Sequence, residues 1–164
     1  MYYLNAVESA MSQGATPQDY PSQILQEAKI PVYSNGPIRA EFKLEDPDVA
    51  REHSVIDMGD EYYTLGKPHP MIDGTERGKR ILREAADPSV AILLLDFILG
   101  YNASSDPVGE LLDSLQRARA MRSIAGDELT IVASICGTPE DHQDIDLQVE
   151  MLKENGVIVF RSSA

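Results

Sequence analysis

A doubly wound α/β fold, with a mostly parallel sheet and helices on both faces, follows from three observations. Strand-like and helix-like segments alternate from residue 54 to the end of the sequence. The run "SVAILLLDF" (89–97) is almost continuously apolar, as in a parallel strand covered on both sides. Each helix-like segment carries its own start and stop signals and is long enough to cross between two parallel strands.

Taken in order, residues 2–12 and 22–29 read as helices and "IPVYS" (30–34) as a short strand. "NGPIRAEFKLEDPDVAREH" (35–53) is a long connection rich in proline and charge, either a covering loop or a lid. "SVIDM" (54–58) reads as a buried strand. "DGTERGKRILREAAD" (73–87) places Ile81, Leu82 and Ala85 at helical spacing and stops at Asp87-Pro88. After the apolar strand, "DPVGELLDSLQRARAMRS" (106–123) opens with Asp106 as a cap and Pro107 where a missing N–H costs nothing. Leu111, Leu112, Leu115 and Ala118 form its apolar stripe. "ELTIVASICG" (128–137) is a strand, "HQDIDLQVEMLKENG" (142–156) a helix ending on Gly156, and "VIVF" (157–160) a last strand. Right-handed crossovers place such helices over the sheet. Residues 1–53 form a helical and looped N-terminal part of the same domain, and 54–164 its βαβ core. A doubly wound domain normally opens on a strand; this one opens on a helix, so the usual first strand is expected to be missing.

The 164 residues suit one compact domain, which at that size buries roughly 70% of its unfolded surface. A formal charge of −13 excludes nucleic acid and anionic membrane surfaces as natural partners, because phosphate binding needs a basic footprint. Cys136 is the single cysteine, which precludes an internal disulfide and fits a reducing compartment. The N-terminal stretch lacks the pattern of a signal peptide, and the longest apolar run is too short to span a bilayer, so a cytoplasmic protein is expected.

Against that acidity, "LGKPHPMIDGTERGKRIL" (65–82) concentrates positive charge. Ligands of open parallel sheets bind beyond the carboxyl ends of the strands, and this segment belongs there. Asp73 or Thr75 can cap the helix, and Gly74 lets the backbone approach a bound group. The exposed N–H groups and the helix dipole favour an anion, with Lys67 and Arg77 adding charge-assisted contacts. The competing reading is a solvated helix face, in which Lys79, Arg80 and Arg83 are ordinary surface cations and Arg80 pairs with Glu84. His69, between two prolines, is a candidate anion donor, proton shuttle or phosphate acceptor, or else a loop histidine satisfied by a carbonyl. Asp57, Asp60 and Glu61 are caps and turn formers or, less simply, Mg²⁺ ligands. Asp96 interrupts an apolar strand and must be paired or reach the rim, which makes it the best single acidic candidate for catalysis. Gly137 and Thr138 form the turn after Cys136 on the same rim. The histidines and Cys136 share no metal-ligand spacing.

"YSNGPI", "IDMGDEYYTLGKPHPMID", "AADPSVAILLLDFILGY" and "ASICGT" resemble, in order and spacing, the FdrA-type proteins. These are relatives of the succinyl-CoA synthetase alpha subunit and other NDP-forming acyl-CoA synthetases. The likeness runs from Val32 to Phe160 and implies the CoA-ligase-like domain of a longer protein, near its C-terminal end, with a three-layer, flavodoxin-like fold. It implies an active site shared between domains or subunits, hence an oligomeric assembly with the remaining FdrA-type parts, in which phosphate, CoA or Mg²⁺ could take part. The phosphohistidine loop of the synthetases, "GHAGA", is replaced here by "CGTPEDHQD", and their "GEIGG" glutamate is replaced within "LDFILGY". The resemblance therefore implies that acyl-CoA synthesis through a phosphohistidine is lost. It points instead to the oxamate carbamoyltransferase of allantoin breakdown, whose substrates oxalurate and phosphate are small anions. The alternatives are an NDP-forming acyl-CoA synthetase fragment and a non-catalytic assembly module.

Overall fold

The computed structural model describes Leu25 and residues 29–160. The helix expected over 2–12, most of that expected over 22–29, and the segment 161–164 lie outside the described residues. The described residues divide into two compact units, which part between Leu65 and Gly66.

In the first unit β1 (Val32–Ser34) pairs in parallel with β2 (His53–Val55), with Tyr33 opposite Ser54. β2 is shorter than the expected strand over 54–58 because Asp57 leaves the ladder to bond with Asn35. Asn35 Oδ1 accepts from Asp57 N at 2.9 Å, and Asn35 Nδ2 donates to Asp57 O at 2.8 Å. The long connection contains a 3-10 turn, Ala40–Phe42, whose Phe42 meets Tyr33 edge-on at 5.6 Å. Tyr63 Oη donates to Pro47 O at 2.7 Å, so this connection is anchored by a buried tyrosine. α1 (Glu61–Thr64) starts where Asp60 accepts from Tyr62 N at 2.9 Å. Asp57 Oδ1 accepts from Gly59 N at 2.8 Å. Both acids therefore act as turn former and cap.

The second unit holds α2 (Thr75–Ala85), β3 (Ile92–Ile98), α3 (Gly109–Ile124), β4 (Thr130–Cys136), α4 (Ile145–Glu154) and β5 (Ile158–Phe160). Its sheet is parallel throughout, in the order β3-β4-β5, with Asp96 opposite Ser134 and Ser134 opposite Phe160. The expected α/β class with parallel strands and alternating helices is the observed one, and among the described residues no strand precedes Val32. No helix among them is long and apolar enough to cross a membrane.

The core lies on one face of this sheet. Phe97, Ile131, Ala133 and Ile135 form one buried cluster with Ile81 and Ala85 of α2, Leu111, Leu115 and Ala118 of α3, and Val149 and Leu152 of α4. Strand order explains this arrangement: β3 to β4 to β5 steps in one direction, so right-handed crossovers put α3 and α4 on the same side. The other face is different. Ile92, Leu94, Ile98, Ile158 and Phe160 alternate with the core residues along the strands and are exposed, Leu94 at 61% and Phe160 at 57%. Residues 66–160 thus carry apolar side chains for two covered faces and cover one of them.

Helix ends follow their sequence signals. Asp106 Oδ1 accepts from Gly109 N at 3.0 Å, the expected capping contact. α4 stops in a Schellman turn: Gly156, at φ +71°, donates to Lys153 O at 2.9 Å, and Val157 N to Leu152 O at 3.1 Å. α2 and α3 approach closely at Gly78, where a Cβ would lie 2.6 Å from Ser114 Oγ. Arg80 departs from expectation. It pairs with Glu84 at 2.5 Å as anticipated, but its side chain is buried, only 8% exposed, beside a half-buried Glu84.

Candidate functional site

Three loops of the second unit meet at the carboxyl ends of β3 and β4. The first, 66–74, is tied to the second, 99–108, where Ser104 N donates to Met71 O at 2.7 Å and Gly74 N to Glu110 Oε2 at 2.8 Å. The second is tied to the third, 137–144, through Gln143. Its Oε1 accepts from Gly100 N at 3.0 Å, and its Nε2 donates to Gly100 O and Ser104 O, each at 2.9 Å. Leu99 N donates to Cys136 O at 2.8 Å, and a Cβ on Gly137 would come within 2.8 Å of Leu99 Cβ. Only glycine allows that approach. Gln148, also buried, accepts from Val108 N at 3.0 Å and donates to Asp106 Oδ1 at 2.9 Å.

The rim therefore forms where open parallel sheets place their ligands, and it brings Lys67, His69, Asp73, Gly74, Thr75, Gly137 and Thr138 onto neighbouring loops of one edge. Their polar groups are already engaged by the chain itself. Gly74 N–H, expected to face an anion, meets the Glu110 carboxylate, which also bonds the Ser104 hydroxyl. Thr75 N donates to Asp73 Oδ1 at 2.8 Å, and the Thr75 side-chain hydrogen bond, with this backbone one, holds the Asp73 carboxyl below its usual range. Thr138 N donates to Asp141 Oδ2 at 2.6 Å. Lys67 Nζ lies 2.8 Å from Glu76 Oε2, and Lys79 Nζ lies 2.6 Å from Glu76 Oε1.

Arg77 turns away from the rim onto β3. Its Nη2 donates to Asp96 O at 2.6 Å, and its guanidinium lies 5.0 Å from the Phe97 ring centre. Burial there lowers its pKa, and the negative charge of Asp96 opposes the shift. His69 is exposed. Its Nδ1 accepts from Met71 N at 3.2 Å, and its backbone O accepts from Ile72 N and Asp73 N. Asp96, like Arg77, does not join the other site candidates: its strand position puts the carboxylate on the sheet's open face, between Leu94 and Ile98. Sequence reasoning missed Ser104, Glu110, Gln143 and Gln148. Gln148 carried a signal, since it sits in the stripe of Ile145, Val149 and Leu152, where a polar side chain must find a partner.

Glu76 is the most perturbed acid of this edge. Hydrogen bonds from Lys67 and then Lys79 hold its pKa down to about 2, against an ordinary 4.5. A depressed carboxylate stabilises the folded chain above its unfolded pKa and loses that contribution as pH falls toward 2. An NMR titration of Glu76 is expected to show a midpoint near 2 that rises toward 4.5 in Lys67→Ala and in high salt.

A parallel α/β sheet with its loops drawn together beyond the strand ends defines a domain of the open-sheet kind. The chain matches the CoA-ligase family over residues 11–164 and belongs to that family. It is 42% identical, over 132 residues, to the uncharacterized protein YahF of Escherichia coli (strain K12), an alignment covering 80% of this chain and 26% of that protein. The chain spans about a quarter of the length of that relative. It is a CoA-ligase-like domain of the acyl-CoA-synthetase-like group.

Proposed function

We propose that this domain presents its three-loop rim to a small anion within an FdrA-type assembly that transfers a carbamoyl group between oxalurate and phosphate. The observation that supports the reading is the meeting of loops 66–74, 99–108 and 137–144 beyond β3 and β4. Lys67 and His69 are the exposed groups from which an anion takes its contacts, Lys67 by exchanging Glu76 for the ligand. Asp73, Gly74 and Thr75 shape the helix start, and Gly137 and Thr138 shape the facing turn. Arg77 acts from behind, as a positioning charge braced on β3. The remaining domains or subunits complete the site and bring any CoA, phosphate or Mg²⁺ with them.

Calorimetry of the complete assembly with phosphate and with oxalurate tests this. Lys67→Ala and His69→Ala are each expected to weaken binding about tenfold or more, the worth of one charge-assisted contact. Glu110→Gln, which weakens the carboxylate's hold on Gly74 N–H, is expected to tighten it. Unchanged binding of both anions in Lys67→Ala and Arg77→Ala would end the assignment. One observation favours a second reading, a non-catalytic assembly module: Lys67, Lys79 and Arg77 already have partners within the unit. That reading expects no phosphate binding by the rim even in the complete assembly.

A further inference from the structure

A crevice of about 320 Å³ lies at the other end of the sheet from the rim, where β4 and β5 begin and α3 and α4 end. That volume is at the lower limit of the roughly 300–1,000 Å³ of small-molecule sites, so it suits a ligand of few heavy atoms. Buried Leu129 and Ile131 close its floor, and Ile158, half in solvent, forms one side. Two opposite charges line it, Arg119 and Glu128. Arg119 is held in place: its Nη1 donates to Asn155 O at 2.5 Å, and its guanidinium lies against Gly156, where any Cβ would run into it. Gln116 Nε2 donates to Asn155 Oδ1 at 2.7 Å, a second tie between α3 and the end of α4. The bare Gly156 thus seats a cation. The other Arg119 N–H groups and the Glu128 carboxylate have no hydrogen-bond or ion-pair partner among the described residues.

We propose that this crevice binds a small zwitterion, a free α-amino acid with an apolar side chain. Its carboxylate meets Arg119, its ammonium meets Glu128, and its side chain rests on Leu129, Ile131 and Ile158. Charge selects this class over a simple ion. Asp127 also lines the crevice, but both its oxygens are engaged: Oδ2 pairs with Arg122, and Oδ1 accepts from Glu128 N at 2.8 Å. A lone anion on Arg119 would therefore sit beside the uncompensated Glu128, in a chain of net charge −13. A lone cation on Glu128 would sit beside Arg119. A ligand carrying both charges meets each group with its opposite. The inference does not depend on the rim binding an anion, since the two places lie at opposite ends of the strands.

The test is an NMR titration of the full chain at neutral pH, following the backbone amides of Leu129, Thr130 and Gly156. The probes are L-leucine, leucinamide, which lacks the carboxylate, 4-methylpentanoate, which lacks the ammonium, and glycine, which lacks the side chain. Leucine is expected to shift these amides saturably, with half-saturation on the order of 1 mM, ordinary for about nine heavy atoms. Leucinamide and 4-methylpentanoate should each bind about tenfold more weakly, the worth of one charge-assisted contact. Glycine should bind several-fold more weakly for want of apolar contact. Arg119→Gln should make leucine and leucinamide bind alike, and Glu128→Gln should do the same for leucine and 4-methylpentanoate. Both side chains are exposed, so the variants are expected to keep the native circular dichroism spectrum. Absence of saturation by about 50 mM leucine would show a crevice that holds only water, and would overturn the proposal. Equal binding of leucine and either single-charge analogue in the original chain would show a site for a simple ion or for apolar groups, and overturns it too. So would a preference for leucine that survives both substitutions.

Discussion

Replacing Phe97 by alanine is expected to cost about 3–5 kcal/mol of unfolding free energy, a large share of the roughly 5–15 kcal/mol of a whole domain. Phe97 is fully buried on the helix-covered side of β3, in the cluster shared with α2, α3 and α4. Its ring also supports the half-buried Arg77 guanidinium, so truncation leaves both a cavity and a cation without its aromatic floor. Urea denaturation followed by circular dichroism reads the change, and Phe97→Leu should cost less than half as much. The matched control is Leu94→Ala, on the same strand and the opposite face. In the chain alone it is expected to cost under about 1 kcal/mol, because Leu94 is already in water. Similar losses at the two positions would show that both faces are covered.

The second large effect is expected at Arg122. It sits on the buried stripe of α3 with Leu111, Leu115 and Ala118, 4% exposed, and ties the end of that helix to the turn before β3. Its Nη1 donates to Asp87 O at 2.6 Å and its Nη2 to Pro88 O at 3.3 Å, while Asp127 supplies the ion pair. Arg122→Ala removes the stem from the core and leaves the Asp87 and Pro88 carbonyls and the Asp127 carboxylate without this donor, a loss of about 3 kcal/mol. Arg122→Lys keeps the charge but cannot span the two carbonyls and the carboxylate together, so it should recover less than half of the stability. A lysine variant as stable as the original chain would show that charge alone, rather than the guanidinium fork, secures this corner.

The elements legible in the sequence were those whose burial has a period. Ile81 and Ala85 in α2, the Leu111–Ala118 stripe in α3, and the alternation of Ile131, Ala133 and Ile135 in β4 all point where the spacing says. The cap at Asp106 and the stop at Gly156 were legible because each satisfies backbone groups a few residues away. The candidate site was less so. That the loops after β3 and β4 share an edge follows from parallel topology. That Glu110 reaches across 36 positions to the Gly74 amide does not, since no local pattern records a distant carboxylate. The concentration of lysine and arginine at 67–80 read as an electropositive notch, whereas in three dimensions Glu76 and Glu84 neutralise much of it. Arg80 and Arg122 show the same limit: a cation on an apolar stripe signals burial only once its partner is known.

The two buried glutamines make the 100–108 segment a rigid mould rather than a closing flap. Swinging it outward would strip Gln143 and Gln148 of backbone partners at Gly100, Ser104 and Val108 in a single step. An anion taken up at this edge, as proposed above, would meet a preformed shape and lose little entropy on arrival, and the Val108 amide should exchange its hydrogen only when the whole unit unfolds.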